Sequence, residues 1–435
     1  MSAIAQVLRE RGAKVSGSDQ KESEVTRRLA DIGVRINIGH DANNVNGATL
    51  VAYSAAVSPD NPEREAAERL GIPTLERSVM LGRMMDGFKK RVAISGTHGK
   101  TTTTSMAALI LIEAGLDPTV LIGGDLDAIG GNARTGQSDV FVTEACEAFS
   151  SFLELRPNIA VVTNIDADHM EHHKTMDGVI SAFRQFLSQT DPDGVLILCK
   201  DDENIRKLLP ELNHRVVTYG VQQSADLVAA NLELKEQAAY DLVRNGTNLG
   251  RVELGLPGVH YVANSLAAAA VGFELGASFD DVRDVLRRYR GTDRRFDMLG
   301  NARGVTVIDD YAHHPNEVKA TLEAARTAYT GRVIAVFQPH LYTRTRYFFR
   351  EFAEALSIAD YAIVTEIYPS REAPIEGVSG KLIVQEMGGR AEFAADKKDV
   401  PARVEKLAVD GDVVIFMGAG DIREEAEATL ERLSR

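Results

Sequence analysis

The sequence predicts an α/β protein of three domains, each built on a mostly parallel sheet flanked by helices. Three observations carry this. Short β-branched runs (RVAIS, DVFVT, NIAVVT, GVLILC, GVTVIDD, RVIAVFQ, YAIVTEI, DVVIFMG) alternate with amphipathic stretches. Such alternation implies parallel strands joined by crossover helices. The 435 residues exceed what a single core usually serves. The text also changes character at Lys89-Lys90-Arg91 and at RGTDRRF, dividing the chain into residues 1–88, 89–293 and 294–435.

In the first segment Ile4, Val7 and Leu8 give a helical stripe that Gly12 ends, and Lys14–Gly17 begins a strand running into Ser18 and Asp19. A Rossmann-like unit normally places its central strand and a glycine-rich turn before that helix. The expectation is a natural start about 15 to 25 residues earlier, the length of a strand and a turn. The second segment opens with RVAIS and turns to strict alternation over 226–256, with Asn245-Gly246 marking a hairpin. An Ala-rich helix, NSLAAAAVGFELG, follows, and RGTDRRF reads as a polar linker into the third α/β unit.

Composition narrows the function. Apolar residues at 44% and charged residues at 26% are ordinary for a folded chain. A net charge of −14 argues against a nucleic-acid partner, which needs surplus Lys and Arg. Small anions need only local cations and stay open. Cys146 and Cys199 make no disulfide framework, so a reducing compartment fits. No apolar run approaches the roughly 20 residues of a membrane span, and MSAIAQVLRE lacks a basic region followed by an apolar one. The expectation is a cytoplasmic enzyme without a membrane partner.

Strand RVAIS runs into Gly96-Thr97-His98-Gly99-Lys100-Thr101-Thr102 and then a helix. Glycines let the backbone curl around phosphate oxygens, and the helix N-terminus adds its dipole. Lys100 supplies a charge for the β/γ-phosphates and Thr101 a hydroxyl for Mg²⁺. The spacing is the short G-x-x-G-K-T, and the bland alternative is a glycine-rich turn without ligand. Two later strands run into Glu144-Ala-Cys146-Glu147 and Asn164-Ile-Asp166-Ala-Asp168-His169. A carboxylate and an imidazole at such strand ends could hold Mg²⁺ against a triphosphate, or merely cap helices. His260 and Asn264, four apart, could bracket a purine edge or serve as cap and surface. In the third segment Asp309-Asp310-Tyr311-Ala312-His313-His314-Pro315 and Gln338-Pro339-His340-Leu341-Tyr342-Thr343-Arg344-Thr345-Arg346 also follow strands. Arginines there suit a small substrate's carboxylate, or form a solvated basic turn.

The strings GTHGKTTTT, EACE…SF, TNIDADHM, DDYAHHPNEVKATL and FQPHLYTRTR, in this order over nearly the whole chain, resemble the muramyl (Mur) ligases. The pairing of DDYAHHP with FQPH…YTRT resembles the alanine-adding branch. The resemblance implies a Rossmann-like domain for a UDP-sugar, a central P-loop-type domain for ATP and Mg²⁺, and a Rossmann-like domain for the amino acid. It implies an ATP-dependent joining of L-alanine to the carboxylate of UDP-N-acetylmuramate through an acyl phosphate.

Carried over by matched motif, Gly96 to Thr102 serve the phosphates. Glu144 and His169 join Thr101 at the metal, and His260, Asn264 and Arg295 contact the nucleotide. Tyr311, His313, Arg344 and Arg346 face the amino acid, while Ser18, Asp19, His40 and Asn61 contact the UDP-sugar. Lys100, Glu144, His169, His313 and Arg344 form the implied catalytic set. Leu341 departs from the family's usual basic or polar residue, and no lysine stands in SAFRQFL where other members carry a carbamylated one. The rivals are a same-scaffold ligase that adds a recycled tripeptide and a weakly active nucleotide-binding relative.

Overall fold

The chain's first helix, Ser2–Glu10, buries Ala3, Ile4 and Val7 and stops at Gly12, whose φ of 93° few other residues adopt. It belongs, in the computed structural model, to a unit made of residues 1–226 and 267–282; a second unit holds 227–266 and 283–435. The structure describes residues 1–170 and 172–435.

In the first unit β1 (Ser16–Asp19) pairs in parallel with β2 (Arg35–Ile38), and β3 (Val51–Tyr53) with β4 (Thr74–Glu76), as two separate sheets. Two long-range hydrogen bonds tie the first helix and its C-cap Arg11 to later strands of the same unit: Gln6 Nε2 donates to Ala133 O at 3.3 Å and Arg11 Nη2 to Thr119 Oγ1 at 3.2 Å. Then come β5 (Lys90–Ser95), β6 (Thr119–Leu126), β7 (Gly131–Arg134), β8 (Val140–Glu144), β9 (Ile159–Val162), β10 (Val195–Cys199) and β11 (Arg215–Gly220). They run in the order β11-β10-β9-β5-β8-β6-β7, parallel except for β7. β9 and β10 are buried along their whole length, as continuous apolar runs are when helices cover both faces. β5 lies at the centre, with Ile94 opposite Glu144 of β8 and Ser95 opposite Val162 of β9. The turn after β5 is therefore flanked by the ends of two neighbours.

The second unit holds the antiparallel strands β12 (Leu227–Leu234), β13 (Ala238–Arg244) and β14 (Thr247–Leu254). Asn245 (φ 49°) and Gly246 (φ 80°) form the predicted hairpin turn, both central residues taking positive φ. Its larger sheet comprises β15 (Asp297–Ala302), β16 (Val305–Asp310), β17 (Val333–Phe337), β18 (Tyr361–Thr365), β19 (Ala391–Ala394) and β20 (Val413–Met417). The order is β15-β16-β20-β17-β18-β19, with only β15 antiparallel. Val307, Ile334, Val336, Ile363, Val414 and Phe416 pack into its core. Asp310 and Phe337 both pair with Met417, so the loops after β16, β17 and β20 leave one sheet edge together.

The stretch read as a polar linker is packed. Thr292 and Phe296 are buried, and Arg294 donates to Gly418 O at 2.7 Å, Gly420 O at 3.0 Å and Asp309 Oδ2 at 3.2 Å. Charge here does not imply solvation, because the Arg294 guanidinium finds acceptors within the fold. Among the described residues no helix is long and apolar enough to cross a membrane.

Candidate active site

After β5 the backbone must turn sharply into the helix Lys100–Glu113, and two glycines permit it. Gly96 has φ 132°, and a Cβ there would lie 1.9 Å from Thr163 Oγ1; Gly99 is left-handed at φ 80°. Among the described residues no side chain caps this helix, so its N-terminal dipole faces the loop uncompensated. Neighbouring β9 anchors the loop. Asn164 accepts from the Thr97 N–H through its carbonyl at 3.1 Å and from the His98 N–H through Oδ1 at 2.8 Å. Asn164 Nδ2 and Thr163 Oγ1 both donate to His98 O, at 3.0 and 2.6 Å. The N–H groups of Thr97 and His98 are thus both taken up by Asn164. The His98 ring meets Asp166 Oδ2 at 3.1 Å.

Lys100 is largely buried. Its Nζ donates to Gly96 O at 2.6 Å, Thr97 O at 3.0 Å and Glu147 Oε1 at 3.0 Å. Burial works against the ammonium, but Glu147, helped by Cys146 and Glu144, holds its pKa above the ordinary lysine value. Lys100 therefore stays a full positive charge at the mouth of the loop. Of the two carboxylates in EACE, Glu147 is the one that pairs with Lys100, whereas the family resemblance points to Glu144. Glu144 ends β8 and accepts from the Gly123 N–H. His169 follows β9 with φ 52°, its N–H donating to Asp168 Oδ1 at 2.8 Å. Glu144 thus ends, and His169 follows, one of the two strands that flank β5. Thr101 and Thr102 lie in the first turn of the helix Lys100–Glu113.

Among the first segment's candidates, Ser18, His40 and Glu63 form one cluster. Ser18 Oγ donates to Glu63 Oε2 at 2.8 Å and lies 3.1 Å from His40 Nδ1, while Asn44 Nδ2 donates to Glu63 Oε1 at 2.8 Å. Asp19 bends the next turn by accepting from the Lys21 N–H. Asn61 caps the helix Pro62–Arg69, accepting from the Glu63 N–H at 2.9 Å.

The remaining candidates lie in the second unit. Burial lowers the His260 pKa to about 4, opposed by Glu317 and reinforced by Arg295, so the ring is neutral near pH 7. Asn264 is buried one turn on. Burial lifts Asp310 to about 6 against the pull of Arg295. Tyr311 lies between Arg294 and Arg295, each guanidinium 5.0 Å from its ring centre. His313 Nδ1 is 2.9 Å from Tyr311 O and 3.2 Å from Glu317 Oε2, which also accepts from the His313 N–H. Rings continue from His313 to His340 (5.8 Å) and Tyr368 (5.9 Å). Arg344 is buried and donates to His340 Nδ1 at 3.1 Å. Arg346, two residues on and therefore on another helix face, is exposed with its guanidinium over Tyr347. The structure gathers Tyr311, His313, His340 and Arg344, and leaves Arg346 outside.

Comparison with known proteins matches three successive segments of the chain. Residues 1–89 match the model of the Mur ligase family catalytic domain, 94–272 the Mur ligase middle domain, and 294–420 the Mur ligase glutamate ligase domain. The chain belongs to the Mur ligase family. It is 46% identical to the UDP-N-acetylmuramate–L-alanine ligase of Sorangium cellulosum, over 97% of this chain and 92% of that one. The crystal structure of the UDP-N-acetylmuramate-alanine ligase of Thermotoga maritima superposes with a TM-score of 0.83 at 31% identity, covering 99% of this chain and 96% of that one. A murein peptide ligase of Psychrobacter arcticus shares the fold, with a TM-score of 0.72 at 23% identity over 100% and 96% of the two chains. This Mur ligase has the family's three-domain α/β fold, with a large mostly parallel central sheet and a separate C-terminal sheet. Asn164, Glu147 and Glu317 stand outside the implied site residues, and each holds one of them: His98, Lys100 and His313.

Proposed function

We propose that this Mur ligase joins L-alanine to UDP-N-acetylmuramate at the expense of ATP, in the cytoplasm, as a step of peptidoglycan precursor synthesis. Residues 1–88 take the UDP-sugar, 89–293 the nucleotide and 294–435 the amino acid. The observation that carries the phosphoryl-transfer reading is Lys100, kept charged by Glu147 at a glycine turn whose helix has no side-chain cap among the described residues. Identity of 40–46% to relatives named UDP-N-acetylmuramate–L-alanine ligase supports the acceptor.

A carboxylate is a poor acyl donor, so the lactyl carboxylate first attacks the γ-phosphorus and ADP departs. The α-amine of alanine, having lost a proton, then attacks the acyl carbon, and inorganic phosphate leaves the tetrahedral adduct. Lys100 offsets charge on the transferring group, and the helix N-terminus favours its oxygens. Thr101, Glu144 and His169 offer a hydroxyl, a carboxylate and an imidazole beside the loop, a donor set that fits Mg²⁺. When bound there, Mg²⁺ would neutralise phosphate charge. Arg344 pairs with the alanine carboxylate, while Tyr311, His313 and His340 form the wall beside it. His260, Asn264 and Arg295 take the nucleotide's base and ribose side, and Ser18, Asp19 and His40 the UDP-sugar.

The test is ADP release with ATP and UDP-N-acetylmuramate supplied. L-alanine should stimulate it far more than L-glutamate, D-glutamate or an L-alanyl-D-glutamyl tripeptide. Preference for the tripeptide would move the protein to the recycling branch.

A further inference from the structure

The helix that carries Arg344, Tyr342–Leu356, has no cap of its own. Leu341 stands at the N-cap with φ 71° and ψ 136°, a conformation that a branched side chain adopts only under strain. Its hydrocarbon cannot accept from the first-turn N–H groups, a task usually met by Ser, Thr, Asp or Asn. The acceptor comes instead from another segment. Glu372 Oε2 accepts from the Thr343 N–H at 3.0 Å, and Glu372 Oε1 accepts from the Thr343 hydroxyl. The helix dipole favours a carboxylate there as well. The same segment is fastened again beside it: the Leu341 N–H donates to Tyr368 O at 3.0 Å, and the Tyr368 N–H to Pro339 O at 2.8 Å. Arg344 is the next residue after Thr343, and its guanidinium meets His340 within this clamp.

We propose that Glu372 is a positioning residue for the amino-acid substrate. By capping Thr343 from outside the helix, it fixes the direction in which Arg344 presents its guanidinium. The proposal rests on the reading of Arg344 as the partner of the alanine carboxylate. A serine or aspartate at position 341 would cap the helix as well. The capping carboxylate comes instead from the loop after β18, so the helix start and the Tyr368 loop are held as one piece.

Steady-state kinetics on Glu372→Ala, Glu372→Gln and Arg344→Ala test this, varying each substrate in turn. Glu372→Ala should raise the apparent KM for L-alanine by about fivefold or more, the worth of a lost cap. The KM values for ATP and UDP-N-acetylmuramate should stay within about twofold, because neither is held by this helix start. Glu372→Gln retains an amide oxygen for the N–H and should recover most of the loss. An equal rise in all three KM values, a failure of glutamine to rescue, or a lower KM for alanine in Glu372→Ala would each overturn the proposal. Arg344→Ala separates the two ideas. If it raises the alanine KM while Glu372→Ala does not, only the positioning role fails; if it leaves that KM unchanged, the substrate reading itself fails.

Discussion

Replacing Glu147 with alanine would strip the phosphate-loop lysine of its counter-charge. Lys100 Nζ lies 2.9 Å from Oε2 of Glu147, and the two side chains are only 16% and 3% exposed. The pair is thus largely shielded from bulk water. Removing one partner of a buried pair costs about 3–5 kcal/mol. The carbonyls of Gly96 and Thr97 still accept from the ammonium, which puts this case near the lower end, about 3 kcal/mol. For a domain of about 150–250 residues each kcal/mol shifts Tm by about 2–4 °C, so a fall of about 6–12 °C is expected. Glu147→Gln keeps the shape and one acceptor and should lose clearly less. The Lys100 pKa is raised in the folded state, so its contribution is complete below the unfolded value of about 10.4 and is lost only at higher pH. The gap between parent and variant should accordingly be flat from about pH 6 to 9. Calorimetric unfolding across that range, with ADP release measured in parallel, checks both points. A Glu147→Ala protein that melts within a degree of the parent and turns over normally would refute the reasoning.

Other expectations rest on the same geometry. Gly96→Ala should weaken ATP binding by on the order of 10²-fold, since the new Cβ meets Thr163 Oγ1 at 1.9 Å at a φ only glycine favours; parent-like affinity by calorimetry would count against it. Glu144→Ala and His169→Ala should each raise the Mg²⁺ concentration needed for half-maximal ADP release, and an unchanged requirement in both would make them structural. His260 is held at about 4 by burial, so the unfolded chain binds a proton that the folded one refuses between about pH 6.5 and 4. That term lowers stability as pH falls through the window. The stability difference between parent and His260→Gln should therefore shrink from about pH 7 to 5 in urea melts; a constant difference would show that His260 does not titrate there.

Much of this was legible in the sequence because strands announce themselves by continuous apolar runs and turns by glycine. RVAIS, DVFVT and NIAVVT proved to be adjacent strands, and the Asn245-Gly246 hairpin lies where its dipeptide put it. Motif residues such as Lys100, Ser18 and Tyr311 were legible for the same reason: each sits at a strand's end or just beyond it. What stayed hidden is long-range. Lys100 finds Glu147, His98 finds Asn164, Ser18 finds Glu63 and Thr343 finds Glu372, and in each case only tertiary folding brings the partner near. Arg344 and Arg346 read alike in YTRTR, yet helical rotation buries one and exposes the other. The charged RGTDRRF stretch is packed rather than solvated because Arg294 finds acceptors inside the fold.

The side chain of Asn164 gives the phosphate loop a property beyond shape. Its amide group closes on the N–H and carbonyl of His98, while the Asn164 backbone carbonyl accepts from the Thr97 N–H, so the loop is fastened beside the neighbouring strand at two backbone amides. A loop fastened in this way has little disorder to surrender when a nucleotide arrives. The free energy of binding then goes into discriminating among phosphates rather than into folding the cradle. In hydrogen-exchange terms, the amides of Thr97 and His98 should already be slow in the unliganded protein and change little on adding nucleotide.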